Sequence, residues 1–286
     1  MAAIAVASPS SDRPPLGAFI KPPALRVVPD SNVGFLAADP HASRLLRETV
    51  DRQFVVHNIV AAGNSRKFVD RATAAWGVHL AWLPNLYDTS ETFPRRDAGW
   101  CGGELRLGLF RANRPLKNFL TAAAAAVELA VRLRVPTELY LSSGRDEGGN
   151  IRALDELTER IPNFHVRRTG WLSWPEFRRR VRHMHIVLQP SYAESFNVVT
   201  ADAIAEGVPV VASGAIDWVP ECWQACAGEP RHVARVAEHL LRDPNAPHDG
   251  RAALDAFVER GVAGWTRFLG PTLLSPPSAG RSAPPK

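Results

Sequence analysis

Lysine is nearly missing from this chain. Of its 34 basic residues only Lys21, Lys67, Lys117 and Lys286 are lysine, and the arginines that make up the remainder are scattered. The formal charge of +5 and the isoelectric point near 9.5 therefore come without the basic stripe and interleaved aromatics that a nucleic-acid surface needs. The short run Arg178-Arg179-Arg180 reads as a solvated helix face, and no nucleic-acid partner is expected. Cysteine is scarce as well. Three cysteines cannot form a disulfide framework. Cys222 and Cys226 lack the two-residue spacing of zinc knuckles and redox motifs, so the thiols read as structural, in a reducing, cytoplasmic setting. No apolar run approaches the roughly 20 residues of a membrane helix, so no integral membrane segment is expected, and the opening MAAIAVAS lacks the basic start and long apolar core of a signal peptide. No G-x-G-x-x-G follows a first strand, only the irregular Gly144–Gly149 loop, which disfavours an ordinary Rossmann dehydrogenase.

What is there is α/β material. A length of 286 residues, 45% of them hydrophobic, suffices for one large or two modest domains with a sizeable core. Residues 1–30, rich in proline and serine, read as a flexible arm. Residues 31–100 read as a reduced N-terminal α/β lobe and linker. Val33–Ala38 is an apolar run, Asp39-Pro40 caps a helix through Ala42–Val50, and Phe54–Ala62 is a second apolar run. Asn64-Ser65 caps a helix to about Trp76 that Gly77 ends, and Val78–Leu83 is a strand closing on Pro84-Asn85. From Glu104 the alternation becomes regular: strands Leu105–Phe110, Glu138–Ser142, His165–Thr169, Ile186–Gln189 and Val210–Ser213, with helices over Asn118–Leu133, Ile151–Arg160, Pro175–His183 and Pro230–Arg242. This spacing predicts a parallel, doubly wound Rossmann-like sheet over 101–245 with right-handed crossovers. A helix at Ala252–Phe268, interrupted by Gly261 and Gly264, occupies 246–270, and 271–286 reads as a disordered tail.

The stretch Ser191–Ser213, SYAESFNVVTADAIAEGVPVVAS, packs a turn, a helix and a strand behind Ile186–Gln189. Such a unit sets a helix N-terminus at the carboxyl edge of a parallel sheet, where open α/β folds bind ligands and unbonded amides favour an anion. With the helix starting near Phe196, the amides of Ser195, Phe196, Asn197 and Val198 point at a phosphate, and the helix dipole favours a diphosphate. Asp202 then lies about 9 Å along the axis, a reach that suits the hydroxyls of a ribose, and Glu194 faces a sugar. The plainer alternative makes Glu194 a helix-entry carboxylate and Asp202 an exposed surface residue. A second stretch, Leu105–Asn118, ends a strand in a loop holding Arg111, Arg114 and Lys117, cations that would complete a phosphate clamp.

At these residues a resemblance is plain. Glu194-Ser195-Phe196-Asn197 through Asp202 and on to Ser213 resembles the E-x7-E region of retaining GT-B glycosyltransferases of family 4. Arg114-Pro115-Leu116-Lys117-Asn118 is similar to that family's basic strand-to-helix turn, and Gly77-Val78 through Asp88 to its interdomain segment. The resemblance covers roughly residues 55 to 225 and implies transfer of a sugar from a nucleotide diphosphate sugar, with retention, to a carbohydrate, lipid or small-molecule acceptor. The donor is a substrate, and no cofactor or metal is implied. Carried over, Glu194 contacts the donor sugar, Asp202 holds the ribose, and Arg114 and Lys117 neutralise the diphosphate. Gly170-Trp171-Leu172 cradles the base, with Trp171 either stacking on it or serving as an ordinary core or surface tryptophan. The sequence departs from the family in three ways. The second acid is Asp202 instead of Glu; the family's Arg-to-Lys spacing falls on Ala112, leaving Arg111 and Arg114 as rivals; and the N-terminal region is short for a full acceptor domain. His41, His57 and His79 match no acceptor-domain motif. The other reading is a non-catalytic nucleotide-sugar-binding module, or a donor half that needs a partner.

Overall fold

Six parallel strands in the order β10-β9-β8-β5-β6-β7 form the main sheet: β5 (Leu105–Leu109), β6 (Thr137–Ser142), β7 (Phe164–Thr169), β8 (Ile186–Gln189), β9 (Val210–Ser213) and the two-residue β10 (Gln224–Ala225). The computed structural model describes residues 3–4, 25–28, 39–55, 59–90, 100–142 and 149–269. The chain winds outward from β5 through β6 to β7, then returns to β8 on the other side of β5 and continues to β9 and β10. The strand order therefore reverses between β5 and β8, and loops leaving the carboxyl ends of these two neighbours part to opposite faces and open a crevice. The central strands β8 and β9 are buried at every position, as strands covered on both faces must be.

The helices of this domain are α3 (Phe119–Leu133), α4 (Ile151–Thr158), α5 (Trp174–Arg182), α6 (Val198–Ala205) and α7 (Pro230–Arg242). The alanine run of α3 turns Ala122, Ala123, Ala125 and Ala126 into the core, where side chains this small let the helix lie close to the sheet. Ser173 and Glu176 form a reciprocal capping box that starts α5. One expectation fails on this helix. Only Arg179 of the basic run is fully solvated, because Arg178 is buried and bonds Glu206 Oε1 at 2.5 Å, with Arg182 on Glu206 Oε2 at 2.8 Å. A buried carboxylate between two guanidiniums resolves the cost of placing any one of these charges inside.

The N-terminal lobe carries a four-stranded sheet, β1 (Ala3–Ile4), β2 (Leu25–Val28), β3 (Ile59–Gly63) and β4 (Ala81–Trp82), in that order. The strands β2, β3 and β4 are parallel, and β1 is antiparallel to β2. Residues 3–4 and 25–28 thus belong to strands; the rest of the expected arm, the Val33–Ala38 run, the Gly144–Gly149 loop up to Gly148, and the 271–286 tail lie outside the described residues. Helix α1 (Pro40–Val55) starts at Asp39, whose Oδ1 accepts the His41 and Ala42 amides at 3.0 and 3.1 Å. Helix α2 (Arg66–Trp76) is capped by Ser65 and stopped by Gly77 at φ 64°. Both caps lie where the sequence puts them.

The last helix, α8 (Ala246–Leu269), runs uninterrupted through Gly261 and Gly264 for 24 residues, against expectation. The reason is tertiary. A side chain at Gly261 would meet Pro84 Cγ at 3.1 Å and Leu86 Cδ2 at 3.2 Å, and one at Gly264 would meet the Trp82 carbonyl at 3.3 Å. The glycines let the helix lie on the segment joining the lobes, where Trp265 Nε1 bonds the Pro84 carbonyl at 2.8 Å and Arg251 Nη2 the Thr89 carbonyl at 3.0 Å. Phe257 of the same helix stacks on Phe196 at 5.3 Å and meets Trp82 edge-on at 6.1 Å, so the lobes share aromatic packing. No helix among the described residues is long and apolar enough to cross a membrane.

Candidate functional site

The residues that the sequence singles out gather at the carboxyl ends of β5 and β8. After β5 the chain passes Phe110 to Arg114 and makes a 3-10 turn at Pro115–Lys117, and Asn118 turns it at φ 58° into α3. Asparagine tolerates this left-handed conformation, and its Nδ2 donates to the carbonyls of Pro190 at 2.8 Å and Ala227 at 2.5 Å. One amide thus fastens the β5 loop to the segments after β8 and β10. After β8, Tyr192 N bonds the Leu116 carbonyl at 2.9 Å, and the turn delivers Glu194.

Glu194 and Lys117 meet there. Lys117 Nζ lies 2.8 Å from Oε1 and 2.7 Å from Oε2 of Glu194, whose side chain is only 3% exposed. Asn197 Nδ2 adds a third hydrogen bond to the carboxylate, donating to Oε1 at 2.8 Å. The residues that the sequence assigns to sugar and diphosphate, 77 positions apart, are therefore in direct contact.

Helix α6 begins at Val198, two residues later than predicted. Phe196 does not join it: its ring packs against both Trp218 and Phe257, and its carbonyl accepts Trp218 Nε1 at 2.7 Å. Asn197 is the N-cap at φ 63°, with Oδ1 taking the Thr200 amide at 2.9 Å. Ser195 precedes it in the turn. Of the four amides proposed for an anion, only that of Val198 lies in the helix's first turn, where it is joined by the amide of Val199, which was not among the four; no preceding carbonyl of the helix can bond either. Both residues line a cavity of about 430 Å³, together with Arg114, Trp171, Leu172 and Asp202.

Asp202 is 2% exposed, which overturns the exposed-surface alternative. Its Oδ1 accepts Tyr87 Oη at 2.7 Å and Trp174 Nε1 at 3.0 Å. Burial pushes its carboxyl above the usual carboxylate range, against the lowering pull of those two donors and of Arg178. Burial, followed by the Asp202 charge, pushes the Tyr87 phenol far above its ordinary value. The helix start at Val198 puts Asp202 about 6 Å along the axis instead of about 9 Å, still within the cavity wall.

The two rival arginines part company. Arg111 is buried, with Nη2 on the Leu188 carbonyl at 2.6 Å and Nη1 on the Lys117 carbonyl; its fork braces the two loops against each other. Burial lowers its pKa, opposed by Glu194. Both Arg111 and Arg114 contribute to the cavity wall, with Ser142 and Trp171. Trp171, 83% exposed, is a rim residue and not a core one. The three cysteines are all exposed and unbridged, so none is a packing element. Tyr87, Trp174 and the side chains of Asn118 and Asn197 went unread in the sequence. Only Trp174 had a local marker, the Ser173 and Glu176 box that fixes where its helix begins. Tyr87 meets Asp202 across 115 residues, which no local pattern encodes.

A Rossmann-like sheet with its crevice at the β5/β8 switch, joined to a small α/β lobe, is a GT-B-like fold. Within it, residues 107–243 match the family model described as Glycosyl transferases group 1. No curated protein matches the chain. Among solved structures, HepE of Anabaena in complex with UDP and glucose is similar at a TM-score of 0.60 and 16% identity, over 78% of this chain and 65% of that one. Sucrose-phosphate synthase of Thermosynechococcus elongatus gives 0.54 and 18%, over 73% and 57%. A TarM mutant of S. aureus in complex with Fondaparinux, alpha-GlcNAc-glycerol and UDP gives 0.56 and 11%, over 80% and 46%. These likenesses are of fold, and the chain spans from 46% to 65% of those proteins.

Proposed function

We propose that this protein is a glycosyltransferase that moves a sugar from a nucleotide diphosphate sugar to a carbohydrate, lipid or small-molecule acceptor, with retention at the anomeric carbon. The observation that carries the reading is the Lys117–Glu194 contact at the mouth of the β5/β8 crevice, beside a cavity walled by Arg114, the start of α6 and Asp202. The donor's diphosphate lies against the Val198 and Val199 amides and Arg114, its ribose against Asp202, its base against Trp171, and its sugar toward Glu194. Lys117 then stabilises the negative charge that grows on the departing phosphate, and catalysis comes from positioning and from fixed charge. That charge is supplied by protein groups, so the reaction needs no metal ion and proceeds in chelator. The exposed, unbridged cysteines suit a reducing, cytoplasmic setting.

UDP-glucose is the first donor to test, because HepE was solved with UDP and glucose. Donor binding is followed by calorimetry, and donor consumption is followed with a panel of sugar and lipid acceptors. We expect Glu194→Ala and Lys117→Ala, both checked for folding, to lose turnover by at least a hundredfold; full turnover in both would sink this mechanism. The non-catalytic module is the second reading, favoured by the small described N-terminal sheet, two of whose four strands have two residues each. Donor binding without transfer or hydrolysis would select it.

A further inference from the structure

Asp202 uses one oxygen for the protein. Tyr87 Oη and Trp174 Nε1 both donate to Oδ1, and among the described residues no donor to Oδ2 is found. The carboxylate is almost fully buried yet contributes to the wall of the 430 Å³ cavity. Two donors converging from different directions on one oxygen of a carboxylate fix its plane. They therefore also fix where the second oxygen points. Oδ2 is not one of the fully buried polar atoms left without a partner, so on the cavity wall it is open to a ligand hydroxyl.

The two donors are themselves held. Trp174 is the first residue of α5, and the Arg178 guanidinium lies 4.9 Å from the centre of its ring, with Arg178 in turn anchored on Glu206. That ion pair lies in the core, so the indole rests on a fixed cation. Tyr87 has a different origin. It lies on the segment joining the two lobes, between Pro84, whose carbonyl accepts Trp265 Nε1, and Thr89, whose carbonyl accepts Arg251 Nη2. Asn85 adds a bond from Asn64 Nδ2 at 3.0 Å, and Leu86 rests over Gly261. The segment is thus pinned to α8 at both ends and to the end of β3 between them. Its phenol then crosses to the opposite domain's carboxylate.

We propose that Tyr87 is a positioning residue for the donor. Carried on the interlobe segment, it orients Asp202 so that Oδ2 alone receives a hydroxyl of the nucleotide's ribose. This rests on the nucleotide-sugar reading of the site and narrows it. Asp202 is one methylene shorter than the Glu expected there, so it does not reach across both hydroxyls. It presents one oxygen, and Tyr87 decides its direction. Because Tyr87 belongs to the interlobe segment, a displacement of that segment also moves the ribose contact, and donor affinity is coupled to how the lobes are joined.

Tyr87→Phe tests the proposal, since it removes one hydroxyl and keeps the ring that packs near Phe196 at 6.2 Å. Binding of UDP and of UDP-glucose is measured by calorimetry from about pH 5 to pH 8, and KM and kcat are measured with the best acceptor. The charged and titratable groups facing Asp202 are Tyr87 from the interlobe segment, Arg178 from α5 and Glu206 after α6. Of these, the substitution removes Tyr87 alone. We expect roughly a tenfold rise in Kd and KM with a much smaller change in kcat, as for one lost hydrogen bond to a charged group. The pH below which donor binding weakens should move upward, because the ionised Asp202 loses a donor. A purely structural role for Tyr87 leaves that pH in place. Trp174→Phe removes the other donor and should shift the same profile in the same direction, which keeps the test decisive if Tyr87→Phe does not fold. Wild-type affinity and an unshifted profile in the folded variant would overturn the role of Tyr87 while leaving the nucleotide-sugar reading intact. Failure of the wild-type protein to bind either UDP or UDP-glucose would overturn the reading itself, and the proposal with it.

Discussion

Lys117 and Glu194, proposed to meet the donor, also form a structural pair. The carboxylate is 3% exposed and the ammonium 19%, so removing the ammonium strands a carboxylate that water barely reaches. Breaking such a pair from one side costs about 3–5 kcal/mol, whereas replacing both ends with neutral groups of similar size is often nearly neutral. We therefore expect Lys117→Met to lose about 3 kcal/mol in urea unfolding, and Lys117→Met with Glu194→Gln to recover most of it; additive losses would mean that the pair is not coupled. Asp202 makes a second prediction with the opposite sense. Its folded pKa is raised by burial, so its contribution to stability is full below the unfolded value near 4 and is lost as pH rises through the folded value. Asp202→Asn keeps an oxygen for Tyr87 and Trp174 and removes the charge. The Tm of the variant minus that of the wild type should therefore grow as pH rises from about 4 to about 8, and a flat difference would contradict the burial argument.

At the scale of elements, most of the fold was readable and the misses share a cause. The apolar runs marked β8 and β9, Asp39 and Ser65 marked their helices, and the basic loop and the acidic turn follow β5 and β8, which are neighbours in the sheet. Three features were missed: Phe196 kept out of α6, Arg178 taken out of solvent, and Gly261 and Gly264 carried inside a continuous helix. In each case a partner distant in sequence overrides local preference. Phe196 answers to Trp218 and Phe257, Arg178 to Glu206, and the glycines to Pro84, Leu86 and the Trp82 carbonyl. The glycines can be tested. A glycine inside a helix costs about 1 kcal/mol relative to alanine, so any larger residue would stabilise α8 if propensity alone mattered. With Pro84 and Leu86 only 3.1 and 3.2 Å from the position of a new Cβ, we expect Gly261→Leu instead to lose about 1–3 kcal/mol through overpacking. A higher Tm in this variant would show that α8 does not need to lie so close.

For the molecule as a whole, the question is whether two small α/β units behave as one. Trp82 packs against the core of the N-terminal lobe and against that of the Rossmann-like domain. Phe257 brings it together with Phe196 and Trp218 at ring distances of 6.1, 5.3 and 5.6 Å. The ring that joins the lobes therefore also supports Phe196, the residue before the cap of α6, so lobe association and site geometry depend on the same packing. None of this was legible in advance, because Phe257 sits in a segment whose only visible marks were its glycines. Among the described residues the N-terminal core holds Leu46, Val50, Ala61, Phe68, Val69, Ala72, Val78 and Leu80, and we expect so small a cluster to gain stability by docking on the larger domain. Urea unfolding of the wild type should accordingly give one transition, coincident by tryptophan fluorescence and by circular dichroism. Phe257→Ala removes the shared ring. It should cost about 3–5 kcal/mol, let the N-terminal lobe melt at lower urea so that the two probes no longer coincide, and weaken UDP-glucose binding because Phe196 loses its support. Coincident transitions at an unchanged midpoint in this variant would mean that the lobes are held together elsewhere, with Lys67 on the Gly214 carbonyl the next contact to remove.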